Sequence, residues 1–251
     1  PGLPDLHGMY WSSSNDFTEA MYYRLAQAVS FSNSFIKNAS ELSGDEVSVF
    51  IAEARFLRAY AYYNLLDLYG NVPLTTEIST ELPTQSNRTE LFNFIESELI
   101  DIESILLSSN EYGRVDNIAA HALLSRLYLN AEAWTGQDRY ADCITYSQNV
   151  INSGYTLNMN DANGNGTAYD ELFMADNDVN GAQNEFIFAL NFDGMQSQTY
   201  GGTTFLVHAA IGGTMNPGNF GVNGGWGGLR TTKNLVNQFA VDLDALNSSL
   251  G

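Results

Sequence analysis

The stretch Ala54–Leu74, ARFLRAYAYYNLLDLYGNVPL, constrains the fold of this chain more than any other. It reads as a helix rich in alanine and tyrosine that stops on Gly70 and leaves through Asn71-Val72-Pro73-Leu74. Apolar residues recur at Val47, Phe50, Ala54, Leu57, Ala61, Leu65 and Leu68, steps of three and four that draw one stripe. A second set, Ala52, Phe56, Ala59, Tyr63 and Leu66, falls on roughly the opposite side. A helix with two apolar sides is expected to lie inside a stack, between neighbours. Its alanines let partner helices come close, and its tyrosines fill wedges while their hydroxyls stay hydrogen-bonded.

The neighbouring sequence supplies those partners. A first helix is predicted from about Asn15 to Lys37, with Phe17, Met21, Leu25, Ala28, Ser32 and Phe35 facing inward. The second is predicted to start at a capping box, Ser43-Gly44-Asp45-Glu46, and to run to Tyr69. A third starts at Asn87-Arg88-Thr89-Glu90 and turns Leu91, Ile95, Ile102 and Ile105 to one face. The fourth covers about Asp116–Trp134, with Trp134 in the core, and the fifth about Asp138–Ser153, ending at Gly154. Short loops between the last three imply antiparallel neighbours. The fold class is therefore mainly α, built of atypical tetratricopeptide-like helical hairpins with little β structure. Residues 1–154 form this repeat region. Residues 155–251 form an irregular, loop-rich region, with a short strand at Glu185–Leu190, a long loop from Gly194 to Gly228 and a short helix at Thr231–Phe239. A loop so long is expected to be functional.

Composition narrows the function. Acidic residues outnumber basic ones 29 to 10, for a formal charge of −19, so a nucleic-acid backbone or an anionic lipid surface would be repelled. Charged residues are nevertheless only 16% of the chain, leaving a polar surface suited to neutral ligands. No apolar run reaches the ~20 residues that span a bilayer. Cys143 is the one cysteine, so no intrachain disulfide can form, and it is expected to be a buried core thiol. Arg55 and Arg58, just off the apolar stripes, are expected to pair with carboxylates or carbonyls of neighbouring helices.

The wording of two segments goes beyond periodicity. Ala52-Glu-Ala-Arg-Phe-Leu-Arg-Ala-Tyr60 followed by Leu68-Tyr-Gly-Asn-Val-Pro-Leu74 resembles the SusD/RagB family, glycan-binding lipoproteins of the outer-membrane surface. Gly113-Arg114-Val115 with the helix after it, Tyr140–Gly154, Asn184–Phe188 and Gly225–Val236 are also similar to family segments, so the resemblance covers almost the whole chain. It implies an atypical tetratricopeptide-like fold and a non-catalytic protein that binds an oligosaccharide or polysaccharide. It further implies delivery of that ligand to a SusC-like TonB-dependent transporter. The implied location is the outer membrane, reached through an N-terminal lipid anchor. That anchor and a C-terminal half would lie outside this chain.

Glycans are held by aromatic faces, with planar polar groups taking the hydroxyls. Trp226, in Gly-Gly-Trp-Gly-Gly, is the first candidate, because four glycines leave its ring little local cover. Phe220 and Tyr200 are nearby aromatic candidates, and Asn219, Asn223 and Arg230 could supply hydrogen bonds. Tyr10 and Trp11 stand before the first helix, where the resemblance places sugar-stacking aromatics. Each of these also has a packing role open to it: Trp226 as a plug, Tyr10 and Trp11 as a staple on the first helix, the polar residues as turn or cap groups. Asp161-Ala-Asn-Gly-Asn-Gly166 imitates the start of a calcium loop, but Leu172 stands at its twelfth position, and an Asx-Gly turn is expected instead. No cofactor, catalytic residue or metal ligand is expected. Gly-x-Ser-x-Gly and His-Glu-x-x-His are absent, and His7, His121 and His208 are far apart. The alternatives are a tetratricopeptide-type scaffold that binds peptides and a glycoside hydrolase. The second would need two facing carboxylates that the sequence does not single out.

Overall fold

The structure, a computed structural model, describes residues 3–174, 176–191, 202–220 and 222–238. The chain divides into two compact units, Pro1–Ala189 and Leu190–Gly251.

The first unit is a stack of helices. A short helix α1 (Leu3–Gly8) precedes α2 (Asp16–Ala39), which starts where the Asn15 side chain accepts from the Phe17 and Thr18 amides. The signature helix α3 (Asp45–Tyr69) follows and stops on Gly70, whose φ of 75° suits glycine. Two-residue strands β1 (Val72–Pro73) and β2 (Gln85–Ser86) pair antiparallel, Val72 with Ser86, and close the loop between them. Helix α4 (Arg88–Ile102) begins at the capping box read from the sequence: Asn87 accepts from the Glu90 amide, and Glu90 accepts from the Asn87 amide. Then come α5 (Asn117–Leu129), α6 (Ala131–Thr135) and α7 (Tyr140–Ile151). Helix α2 packs on α3, α3 on α4, α4 on α5 and α5 on α7, so α3, α4 and α5 are inner layers. The mainly α, hairpin-repeat reading holds.

Several local expectations change. The capping box at Ser43 does not form; Gly44 is the N-cap, with no side-chain cap, so Val47 rather than Glu46 occupies the third helical position. The predicted fourth helix breaks at Asn130, whose side-chain amide takes the Arg126 carbonyl and competes with the helical backbone. Trp134 does pack inward, edge-on to Tyr63 at 5.8 Å. On α3 the set Ala52, Phe56, Ala59, Tyr63 and Leu66 is buried throughout, whereas the other stripe buries Ala54, Ala61 and Leu65 but leaves Phe50, Leu57 and Leu68 exposed. On α2, Phe17, Met21, Ala28 and Phe35 face outward; Val29, Ser32, Asn33 and Ala39 are buried, and Leu25 is half-buried against the core. Cys143 is half-buried against the core, near the hydroxyls of Ser125 and Ser147.

Electrostatics tie the layers together. Glu98 of α4 is 7% exposed and accepts from both Arg55 and Arg58 of α3; Arg58, 5% exposed, also donates to Asn33 of α2. These are the inter-helix pairs expected of the two arginines. The Tyr62 hydroxyl accepts from the Thr75 amide and donates to the Thr75 carbonyl, fixing the exit from α3.

Burial raises the hydroxyl pKa of Tyr128, Tyr146 and Tyr155, helped by Glu96, Glu103 and Asp116 respectively; that of Tyr146 rises to about 12. The native state therefore keeps protons that unfolded tyrosines release near pH 10. This contribution to stability is complete below that pH and is lost as the pH rises through about 12. Absorbance titration at 295 nm is expected to show a lagging class of tyrosines that ionises together with unfolding, and Tyr146→Phe is expected to move that transition to higher pH.

The expected strand at Glu185–Leu190 does not form. A 3₁₀ turn at Ala182–Asn184 leads into bends, because Phe188 is drawn edge-on against Phe56 at 5.4 Å and against Tyr60 at 6.2 Å. In the second unit the segment read as loop contains α8 (Gly202–Ala210) and a 3₁₀ turn at Pro217–Phe220. Apolar residues at Phe205, Leu206, Ala209 and Ala210 make α8 helical despite the glycines around it. The last helix is α9 (Lys233–Val236), capped by Thr232. Phe239 lies outside the described residues.

Candidate functional site

In the first unit, the turn before α2 and the meeting of α2 with the end of α3 enclose an open groove of about 1020 Å³. Trp11 stands on one side and is about half exposed. Leu6 of α1, Phe17, Met21, Tyr22 and Tyr23 of α2, and Leu68 and Tyr69 of α3 form the rest of the apolar wall. Tyr22 packs edge-on to Tyr69 at 5.3 Å and to Tyr23 at 6.1 Å. The Tyr69 hydroxyl donates to the Thr18 carbonyl, and burial pushes its pKa up, so this ring is locked in place. Ser12, Ser13, Ser14 and Thr18 bring hydroxyls to the rim, and Glu19 is the one charged residue among the lining groups.

Trp11 thus lines a groove, while Tyr10, more exposed still, sits beside it against Gly8; a Cβ at Gly8 would lie 2.0 Å from the Tyr10 ring. Sequence reasoning did not single out Tyr22, Tyr23, Tyr69 or Leu68 as site residues. The sequence held no clear signal for them: adjacent tyrosines on a helix can both be buried, as Tyr62 and Tyr63 are on α3.

In the second unit, Trp226 is 46% exposed and lies on His208 of α8, with ring centroids 4.9 Å apart and planes 22° from parallel. Phe205 flanks it at 6.1 Å. The His208 Nδ1 is 2.8 Å from the Gly224 carbonyl, which only accepts, so Nδ1 carries the proton. The amides of Trp226, Gly227 and Leu229 donate to the carbonyls of His208, Ile211 and Ala209. The glycine-rich segment therefore caps the open C-terminal end of α8. A Cβ at Gly225 would meet the Ile211 carbonyl oxygen at 2.4 Å, so close backbone approach demands that glycine. The run serves packing as well as exposure, and it leaves one broad side of the Trp226 ring covered by His208.

Of the remaining candidates, Arg230 donates to the Leu229 carbonyl and lies against Gly212 and Gly227. Asn219 and Phe220 belong to the 3₁₀ turn, where the Asn219 amide donates to the Asn216 carbonyl; Asn223 is exposed. Tyr200 lies outside the described residues.

The calcium-like segment forms the expected Asx turn. Asp161 accepts from the amides of Gly164, Asn165 and Gly166, and Asp170 accepts from the side chains of Asn163 and Asn165. The second set of hydrogen bonds holds the Asp170 carboxyl below its ordinary pKa.

Comparison with known proteins gives these sites a context. Residues 7–129 match the SusD-like family described as "Starch-binding associating with outer membrane". The chain is 36% identical over 247 residues to the starch-binding protein SusD of Bacteroides thetaiotaomicron, covering 96% of this chain and 43% of that protein. It therefore spans less than half the length of that relative. Among solved structures, a SusD-like protein of Bacteroides fragilis superposes with a TM-score of 0.60 at 25% identity, over 73% of this chain and 35% of the other. A laminarin-binding SusD-like protein superposes with a TM-score of 0.55 at 25% identity, over 64% of this chain and 36% of the other. With the helical-hairpin stack and these matches together, the chain belongs to the SusD-like family.

Proposed function

We propose that this chain is a non-catalytic glycan-binding protein of the outer-membrane surface. In this reading the groove beside Trp11 takes the apolar face of a sugar ring, and Ser12, Ser13, Ser14 and Thr18 take hydroxyls. The single observation that carries it is the groove itself, aromatic on its walls, hydroxylated at its rim and without a cation among its lining residues. Such a lining favours a neutral pyranose over an anionic ligand, which Glu19 and the charge of −19 would repel. The named relatives support the ligand class, one being starch-binding and one laminarin-binding. The groove lining contributes one carboxylate, whereas acid–base cleavage of a glycosidic bond ordinarily uses two. The reading needs no cofactor. It extends to a SusC-like TonB-dependent transporter as the partner that receives the oligosaccharide, and to an N-terminal lipid as the membrane anchor.

Isothermal titration with maltoheptaose and laminariheptaose tests this directly. Saturable binding is expected, and Trp11→Ala is expected to weaken it about tenfold or more, the loss of one buried aromatic contact. No reducing ends should appear on incubation. Unchanged affinity in Trp11→Ala would remove the groove from the binding site and leave Trp226 as the next residue to substitute.

A further inference from the structure

A second concave site lies elsewhere in the first unit and shares no lining residue with the groove. The loop between α4 and α5 faces residues 154–155 and 183–189 across a cleft of about 290 Å³. That volume is at the small end of the about 300–1,000 Å³ typical of ligand sites and fits one or two sugar rings. Its walls carry the rings of Tyr112, Tyr155 and Phe186, and its rim carries Ser108, Glu111 and Asn184.

Bonds within each wall hold the cleft open, and on one side they use the side-chain amide of Asn184 itself. On one side, the Asn110 side chain donates to the Val115 carbonyl and accepts from the Glu111 amide. The Arg114 amide donates to the Glu111 carbonyl, and Gly113 turns the loop at φ 82°. On the other side, Gln183 accepts from the Gly181 amide and Asn184 donates to the Gly181 carbonyl. A preformed cleft lowers the ordering cost of binding.

Charge selects the ligand class. The Arg114 guanidinium is taken by Glu53. Asp116, 2% exposed, spends one oxygen on the Ala119 amide and the other on the Tyr155 hydroxyl. Neither is left to neutralise an ionic ligand, and the Glu111 carboxylate at the rim already interacts with the Arg114 guanidinium. Hydroxyl, amide and carboxylate groups beside aromatic faces suit a neutral polyhydroxylated ring. Tyr112 is 39% exposed, so its ring is available at the mouth.

We propose that this cleft is a second carbohydrate subsite, independent of the Trp11 groove, that takes one or two neutral sugar units. The choice of a sugar rests on the glycan-binding reading above; the cleft's geometry does not. Titrations of maltoheptaose and laminariheptaose into the wild type, Trp11→Ala, Tyr112→Ala and the double variant test it. Thermal melting should be unchanged in Tyr112→Ala, because an exposed ring is removed. In Trp11→Ala a weaker class of binding is expected to remain, and Tyr112→Ala should reduce that remainder about tenfold. Asn184→Ala in the same background should weaken it as well. Complete loss of binding in Trp11→Ala, or a remainder indifferent to both Tyr112 and Asn184, would overturn the second subsite and leave the groove standing. Binding lost in Tyr112→Ala but intact in Trp11→Ala would do the reverse. No saturable binding of either sugar to the wild type would overturn both.

Discussion

Replacing Glu98 with alanine is expected to destabilise the protein by about 3–5 kcal/mol, the cost of leaving a buried charge without its partner. The carboxylate sits between α3 and α4 and takes hydrogen bonds from Arg55 and Arg58. Arg55 keeps a second partner, Asp101, and is partly open to water, so it can adapt. Arg58 cannot, because its side chain is 6% exposed and its other bonds go to the neutral Asn33 and the Thr76 carbonyl. Glu98→Gln, which retains hydrogen-bonding capacity but not the charge, should cost less than Glu98→Ala. The double variant Arg58→Met/Glu98→Leu should recover most of the loss, because desolvation of the ions disappears together with their attraction. Urea unfolding of the four proteins measures this. A Glu98→Ala variant as stable as the wild type would show that the pair contributes nothing.

Phe56→Ala is expected to cost a similar amount, about 3–5 kcal/mol, through lost burial and the cavity left behind. Phe56 is 2% exposed, stacks parallel to Tyr60 at 6.3 Å and receives Phe188 on its edge. Its loss removes a floor from the segment that walls the small cleft, so the damage should reach beyond α3. Thermal denaturation gives the stability change. Increased proteolytic cleavage near residues 183–189 would report the loosening, and a local effect confined to α3 would leave that segment resistant.

Both variants lie in or beside the stretch that most clearly announces the fold. Periodicity and capping signals were enough to place α2 to α5, α7 and α9, because burial of one helical face writes itself into spacing. The Asn87 box was legible because both partners are local in sequence. The Ser43 box failed on a shift of a single residue, which the same four letters cannot reveal. The apolar stripe of α2 misled for a physical reason: Phe17, Met21 and Phe35 follow a core-like spacing yet face outward, and Phe17 and Met21 line the groove. An apolar stripe records what a face avoids, not which neighbour covers it. Trp11 could be named because it stands outside a helix, whereas Tyr69 and Leu68 join it from 57 to 58 positions away. That assembly depends on how α3 returns along α2. The glycines around Trp226 were read as freedom for the ring. The part that needed coordinates was their second use, closing the end of α8.

Helix α7 has no fully buried residue, while α3, α4 and α5 hold nearly all of the largest buried side chains. In a stack whose layers contact mainly their neighbours, opening proceeds from the least anchored layer. The molecule therefore carries a built-in order of events. Backbone amides on α7 exchange with solvent through small local openings, whereas those on α3 and α4 wait for the whole unit to come apart, so rigidity and adaptability are allotted to different helices of one array.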